Sequence, residues 1–513
     1  MRNKLWPEPP GVSKMPNPVV KAEGADLPLS IIVIGASGDL ARKKIFPALF
    51  ALYCQGFLPD RFEVFGFARS PMSDDGFRDH IMEHLTCRYA PGESCAHFMA
   101  EFLSRCTYVS GAYDSRDAFL RLYERMRPLE GPGHANRLFY MAIPPFLFLD
   151  VARALGGAGL VNCDGGPGWA RAVIEKPFGS DRATSDELVV NMAQVFSEEQ
   201  TFRIDHYLGK EIVQDLLILR FANSVFARLW NRDCIDRVRI EWKENIGVGD
   251  RGGYFDTYGI VRDVMQNHLL QILSLIAMEP PSRFDERDVR DEKVRVLRSV
   301  KPAGLDDIVL GQYRAATYDG VPYLSYTDEP GIPRGSRTPT FAAAVLEIDN
   351  ARWKGVPFYV SAGKGLDERM TEIGIRFRPA HDQTFIDFTG SLSPNELVIR
   401  VQPDENIRLK IMNKVPGLET KLGETTLDLR YSSAFQTLIP DAYECLLLDV
   451  IQGDRSLFIR SDVLAAAWDI FTPVLHEIDE RGILPEPYPF GSRGPAKAMA
   501  QAQRYGVSKR YGL

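Results

Sequence analysis

Between residues 203 and 211 the chain reads Arg-Ile-Asp205-His206-Tyr207-Leu-Gly-Lys210-Glu, which gathers an acid, an imidazole, a phenol and an ammonium at the start of a predicted helix. Donors at a helix N-terminus form a ready phosphate site, and Lys210 adds a full charge. A second stretch, Asp250 to Gln271, carries Asp263 and His268 on a predicted helix. Imidazole titrates near neutrality, so His268 suits removal of an alcohol proton while hydride departs. Five α-helical residues turn through about 500°, which predicts that Asp263 points roughly 140° away from His268. The carboxylate that orients the base then has to come from elsewhere, and Asp205 is the best candidate.

Hydride chemistry needs an acceptor, and the chain offers a place for one. Gly35-Ala36-Ser37-Gly38-Asp39-Leu40 lies between the first predicted strand and the first predicted helix. Small residues there let backbone N–H groups approach a pyrophosphate. The spacing is Gly-x-x-Gly rather than the commoner Gly-x-Gly-x-x-Gly. At the end of the second strand, where NAD-binding folds place an acid, this chain has Gly66-Phe-Ala-Arg69. A guanidinium there favours the 2′-phosphate of NADP. Ile174-Glu-Lys176-Pro-Phe-Gly179 closes a later strand, and Lys176 is placed to bridge coenzyme and substrate at the carboxyl end of a sheet.

Elements must hold these residues in place. Ser30 to Ile34 is a buried-strand run, Leu40 to Cys54 a helix, Phe62 to Phe67 a strand and Phe77 to Leu85 a helix; short apolar runs follow at 106–109, 137–142 and 171–175. This alternation predicts a doubly wound α/β domain. Glu211 to Phe226 and Ile260 to Ala277 read as long helices. Strand-like runs at 237–243, 341–348, 358–361, 373–377, 396–401 and 408–412 predict a mostly antiparallel sheet with helices on one face. The fold class is therefore a Rossmann-like domain followed by a larger β+α domain. The predicted divisions are a flexible extension at 1–29, an NADP-binding domain at 30–204, and a substrate and oligomerisation domain at 205–513.

With 513 residues, 45% of them hydrophobic, the chain is long enough for more than one core. Its net charge of −7 argues against a nucleic-acid partner. The longest apolar run, Leu269 to Met278, is too short to span a bilayer. Seven scattered cysteines (54, 87, 95, 106, 163, 234 and 445) read as reduced thiols in a cytoplasmic protein, not as a disulfide frame or zinc site. His80 and His84, four apart, read as a solvated helix face, so no metal is expected.

Taken together, these motifs resemble the glucose-6-phosphate dehydrogenase family. The resemblance rests on Gly-Ala-Ser-Gly-Asp-Leu at 35–40, Glu-Lys-Pro-Phe-Gly at 175–179, Arg203 to Glu211, and Arg-Gly-Gly-Tyr-Phe-Asp at 251–256. It continues through Arg262 to Gln271 and Asn-Glu-Leu-Val-Ile-Arg-Val-Gln-Pro at 395–403. It implies that β-D-glucose 6-phosphate is oxidised at C1 to 6-phosphoglucono-1,5-lactone with NADP, the first step of the oxidative pentose phosphate pathway. His268 would take the C1 hydroxyl proton, oriented by Asp205. His206, Tyr207 and Lys210 would hold the phosphate. Lys176, Glu244, Asp263 and Gln402 would hold the sugar, with Lys364 and Arg369 reaching in. Ser37, Arg69 and Tyr140 would line the coenzyme site beside Gly35, Ala36, Gly38, Asp39, Leu40 and Lys176.

The family's members form dimers or tetramers through the large sheet. Animal members also hold a second, structural NADP. Here Ser361, Met370 and Gly374 replace expected cations, Arg400 and Lys410 remain, and the Lys509-Arg-Tyr-Gly-Leu ending lacks the expected tryptophan. The second site is thus expected to be absent or much weakened. Two other readings are an NADP-dependent oxidoreductase of unphosphorylated sugars and a non-catalytic NADP sensor; Lys210 speaks against the first, and the presence of His268 with Asp205 against the second.

Overall fold

The computed structural model describes residues 27–89, 92–131, 134–161, 168–379, 392–435 and 437–507. The N-terminal extension up to residue 26, Cys163 and the Lys509 ending lie outside the described residues. The chain divides into two compact units, one of Met1–Phe178, Glu187–Gly209 and Phe435–Ile459, the other of Gly179–Asp186, Lys210–Ala434 and Arg460–Leu513.

The first unit is built on a parallel sheet of β1 (Leu29–Ile34), β2 (Phe62–Ala68), β3 (Cys106–Ser110), β4 (Asn136–Met141), β5 (Ala170–Ile174) and β6 (Thr201–Arg203), in the order β3-β2-β1-β4-β5-β6. Every residue of β1 and β4 is buried, as expected where helices cover both faces of a parallel sheet. The direction of winding reverses at β1, between β2 and β4, which is where doubly wound sheets bind ligands. The sequence run at 30–34 marked β1 because β-branched residues fill such strands. Three-residue β6 was too short to leave a pattern.

A single seam at 204/205 does not describe these units. Phe435–Ile459 joins the first one because the helix Ala442–Gln452 buries Leu446, Leu447 and Val450 in the core formed by Leu49, Phe50 and Phe102. Arg171 fastens its end by donating to the carbonyls of Val450 (2.6 Å) and Ile451 (2.9 Å).

The second unit holds a nine-stranded sheet. Its strands are β7 (Ile235–Lys243), β8 (Ile308–Arg314), β11 (Phe341–Glu347), β12 (Pro357–Gly363), β13 (Met370–Phe377), β14 (Glu396–Gln402), β15 (Asn406–Lys414), β16 (Leu422–Arg430) and β17 (Glu486–Pro489). Their order is β16-β15-β14-β13-β7-β12-β11-β8-β17, and β9 (Ala316–Tyr318) pairs separately with β10 (Val321–Tyr323). Pairing is antiparallel except at β7–β12 and β8–β17, so the predicted mostly antiparallel sheet is what forms. The predicted single helix at 211–226 is instead two, Glu211–Phe221 and Ser224–Leu229. Asn223 breaks them and donates its side-chain amide to the Leu219 carbonyl (3.2 Å). Among the described residues no helix is long and apolar enough to cross a membrane.

The reading of all cysteines as free thiols is corrected. Cys87 and Cys95 form a disulfide, with Cα atoms 5.7 Å apart, while Cys54, Cys106, Cys234 and Cys445 are not disulfide-bonded. The eight-residue spacing of Cys87 and Cys95 matches no motif.

The helix Ala442–Gln452 also carries a pH-sensitive group. Burial, with a smaller push from Asp454, raises the Asp449 carboxyl to about 8. A folded-state pKa above the unfolded value of about 3.9 means that folding holds this proton. That stability is present below about pH 4 and is lost progressively as pH rises to about 8. Asp449→Asn is therefore expected to gain thermal stability over the native chain progressively across that window. A melting-temperature difference that stays constant with pH would overturn this.

Candidate active site

In the first unit, β1 ends in a turn that the sheet itself imposes. Gly35 has φ of 88°, its N–H donates to the Phe67 carbonyl (2.8 Å), and a Cβ there would lie 2.2 Å from the carbonyl oxygen of Ala142. Gly38 donates back to the Gly35 carbonyl (2.9 Å). Ala36 is buried, Ser37 and Leu40 are half-buried, and Gly38 and Asp39 are exposed. Lys43 and Arg42 ion-pair with Asp39 and hold its carboxyl below the usual range. Beyond β2, exposed Arg69 lies against the Tyr113 ring, 5.4 Å from its centroid. An aromatic face supports a guanidinium and leaves its fork for an anion. A side-chain-free turn at the switch point, a helix start and an exposed Arg beyond the neighbouring strand fit an NADP coenzyme.

Tyr140, expected among the residues that line the coenzyme site, lies on β4. It is fully buried among Val33, Leu138 and Val173, because strand alternation turns it into the core. Its hydroxyl donates to Glu175 Oε1 (2.6 Å). Glu175 also accepts from the Tyr443 hydroxyl. Burial pushes its carboxyl up, and the two hydroxyls and Lys176 pull it back. Lys176, half-buried, follows Glu175 directly and is joined to Pro177 by a cis peptide.

Asp205, His206 and Tyr207 form a tight turn after β6. Asp205 is 1% exposed; its Oδ1 accepts the Tyr207 N–H (3.0 Å) and its carbonyl accepts the Leu208 N–H (3.0 Å). The His206 ring meets Tyr207 edge-on at 5.1 Å and stacks on Tyr443 at 6.2 Å with 7° between planes. Tyr207 is buried, whereas His206 keeps part of its surface. This unit thus gathers Tyr140, Glu175 and His206 around Tyr443, which sequence reasoning missed, with Lys176 and Tyr207 next to them along the chain. Pro440-Asp441-Ala442-Tyr443 announces a helix start. Nothing local announces which ring that tyrosine will meet.

In the second unit, Lys210 opens the helix Glu211–Phe221, and its carbonyl accepts from Val213 (2.9 Å) and Gln214 (3.1 Å). Its half-buried side chain lies near Glu405, whose carboxyl burial raises and Lys210 lowers. Glu244 and Lys364 are brought together in an ion pair of 2.5 Å, with the ammonium 5.3 Å from the Trp242 ring and 5.6 Å from that of Phe255. Gln402 ends β14 opposite Thr371 of β13, and Arg369 is exposed just before β13.

Asp263 and His268 lie on Val261–Leu269, a segment of wide, i→i+5-bonded turns. Gly259, at φ 65°, breaks the preceding helix, and Ile260 N–H donates to Pro339 O (3.0 Å). His268 is 2% exposed and its N–H donates to the side chain of Asn267 (2.6 Å), which itself donates to the Arg262 carbonyl (3.1 Å). Wide turns set residues five apart nearly above one another, so the predicted 140° separation from Asp263 does not hold. No residue pattern announces the widening, since α-helical and wide turns share the same apolar residues. The case for Asp205 as the orienting carboxylate then rests on the resemblance.

Comparison with known proteins covers both units. The family model "Glucose-6-phosphate dehydrogenase, NAD binding domain" matches residues 32–215, and "Glucose-6-phosphate dehydrogenase, C-terminal domain" matches 217–510. Glucose-6-phosphate 1-dehydrogenase 3, chloroplastic, of Arabidopsis thaliana is 53% identical over 93% of this chain and 80% of its own length. The chloroplastic enzyme of Spinacia oleracea is 51% identical over 96% and 85%. A solved structure described as glucose-6-phosphate dehydrogenase in complex with its substrate glucose-6-phosphate has a TM-score of 0.88 at 42% identity, over 94% of this chain and 99% of that one.

These relatives overturn the cytoplasmic assignment. The chloroplastic enzymes exceed in identity the cytoplasmic isoform of Solanum tuberosum, at 47%. Composition and scattered cysteines do not separate plastid from cytoplasm, which is why that reading failed. With the fold, the glycine turn, the 205–207 turn and the Glu244–Lys364 pair in place, and with both family models matched end to end, this chain belongs to the glucose-6-phosphate dehydrogenase family.

Proposed function

We propose the following division of labour for the reaction that this family membership brings, the NADP-dependent oxidation of glucose 6-phosphate at C1 to its lactone. His268 removes the C1 hydroxyl proton as the C1–H bond breaks, so that the C1–O bond becomes a carbonyl. When bound, NADP accepts the hydride. Asp205 orients His268 and favours its protonated form during transfer. His206, Tyr207 and Lys210 hold the phosphate, and Lys176, Glu244, Asp263, Gln402, Lys364 and Arg369 hold the sugar. Gly35 to Leu40 bind the pyrophosphate, and Arg69 takes the 2′-phosphate.

The observation that carries this reading is the 205–207 turn: it buries a carboxylate fixed by a backbone N–H while leaving the adjacent imidazole partly exposed. An acid held so firmly suits an orienting role, and the neighbouring ring suits an anion.

The chain assembles as a homodimer or homotetramer through the large sheet. Edge strand β16 is largely exposed, and Val415, Leu418, Leu427 and Leu429 offer apolar surface there. A second, structural NADP is absent here or held much more weakly than in animal members. Arg400 and Arg408 both ion-pair with Glu372, and Lys410 with Glu396, so cations that a phosphate would require are already engaged. Kinship with chloroplastic isoforms supports residence in a plastid.

Following NADPH absorbance, His268→Asn is expected to lower kcat by about 10²–10⁴ while leaving NADP affinity intact. A variant with native kcat would remove His268 from the role of base. Lys210→Ala is expected to raise KM for glucose 6-phosphate about 10–100-fold, the worth of a charge-assisted hydrogen bond, and to leave KM for unphosphorylated glucose unchanged. Equal effects on both sugars would remove Lys210 from the phosphate. Arg69→Ala should raise KM for NADP about tenfold and spare KM for NAD; parallel changes would assign Arg69 a different role.

A further inference from the structure

Glu175 and Tyr443 have no part in the division of labour above, yet the first unit is organised around them. Glu175 directly follows β5, and it is 9% exposed. A buried carboxylate is costly unless hydrogen-bonded, and two tyrosine hydroxyls, those of Tyr140 and Tyr443, converge on this one. Tyr140 belongs to β4, the neighbour of β5, and Tyr443 to the helix Ala442–Gln452. The carboxylate therefore ties a strand to a helix far away in sequence, at the residue immediately before Lys176.

Tyr443 is itself held from several sides. Asp441 caps its helix by accepting the Tyr443 N–H (3.0 Å), and Lys44 ion-pairs with Asp441 at 3.1 Å. The next residue, Glu444, accepts from the Tyr89 hydroxyl (2.7 Å) and from Arg88 (3.3 Å). A ring so constrained makes a fixed wall. The His206 imidazole runs parallel to it with centroids 6.2 Å apart, and meets Tyr207 edge-on.

We propose that Glu175 and Tyr443 form a positioning clamp. The Tyr443 ring braces His206 for the substrate phosphate, and the Tyr140–Glu175–Tyr443 hydrogen bonds fix the strand end from which Lys176 reaches the reacting sugar. The clamp touches no substrate. It rests on the assignment of His206 and Lys176 to the substrate, and it adds the residues that hold them.

The test uses the full-length protein and its variants Tyr443→Leu, Tyr443→Phe and Glu175→Gln. Steady-state constants are measured for glucose 6-phosphate and NADP, and binding of inorganic phosphate is measured separately by calorimetry. An aromatic stack is worth about a factor of ten at most. Tyr443→Leu is therefore expected to raise KM for glucose 6-phosphate and to weaken inorganic phosphate, each by about tenfold, with KM for NADP within about twofold of native. Tyr443→Phe keeps the ring and should restore both values while losing part of kcat, because Glu175 has lost one donor.

Glu175→Gln keeps the shape and removes the charge. It should lower kcat by about tenfold or more, the cost of a misplaced Lys176, with phosphate binding unchanged. Leu and Phe variants that match in KM and in phosphate affinity would overturn the brace. Native kcat in Glu175→Gln would overturn the strand-end tie. If the leucine variant does not fold, the nearly isosteric Phe and Gln variants still decide the tie through kcat. Phosphate binding that separates Leu from Phe, in a native chain that fails to oxidise glucose 6-phosphate, would support the brace and sink the proposed reaction instead.

Discussion

The close approach of three strands at Gly35 is the constraint on which the first unit depends. Its N–H is taken by Phe67 at the end of β2, and the carbonyl of Ala142, just past β4, stands where a Cβ would be. No L side chain fits, and the φ of 88° is one that glycine adopts at little cost. Because β1 is pinched between β2 and β4, the chain has to turn at once into a helix. That turn puts backbone N–H groups at the switch point of the sheet, with Arg69 standing past the adjacent strand.

In both units several ions taken from water are given hydrogen-bonding partners. In the first unit, Glu130 accepts from Arg137 (2.7 Å and 2.9 Å) and from Ser30 (2.9 Å), and Glu175 accepts from two tyrosines. In the second, Glu372, 1% exposed, is gripped by Arg239 at 3.1 Å, Arg400 at 2.9 Å and Arg408 at 2.8 Å. Breaking such a group by removing one partner leaves an uncompensated charge and costs about 3–5 kcal/mol, more than most surface changes. The polar residues of β7, β13, β14 and β15 therefore serve the sheet itself. This explains how a strand face rich in Arg and Lys can be a structural element.

Among the described residues wide helical turns occur twice, each at a motif with chemistry. Ala41–Ile45 comes directly after the glycine turn, and Val261–Leu269 carries Asp263 and His268. Such turns cost hydrogen-bond quality and persist mainly where function or packing holds them. At 261–269 the holding is visible: Gly259 breaks the helix before it, Pro339 takes the Ile260 N–H, and Asn267 bonds both Arg262 and His268. The direction of the His268 side chain is thus set by an irregularity and not by an ideal helix.

The sequence alone determined those parts whose physical cause is local. A β-branched run marks β1, the glycines mark the turn after it, an Arg in place of an acid points to NADP, and Asp-His-Tyr with Lys210 is the motif from which the phosphate site is proposed. Each follows from residue type and nearest neighbours. What the tertiary structure decided has its cause in residues distant along the chain. Tyr443 under His206, Tyr140 turned inward onto Glu175, Cys87 joined to Cys95, and the return of 435–459 to the first unit all arise this way. Such contacts depend on where elements pack, because burial selects whichever surface is complementary, however far along the chain it lies. A local period can tell that a helix begins at Ala442, but only the packed core fixes that its first ring faces His206.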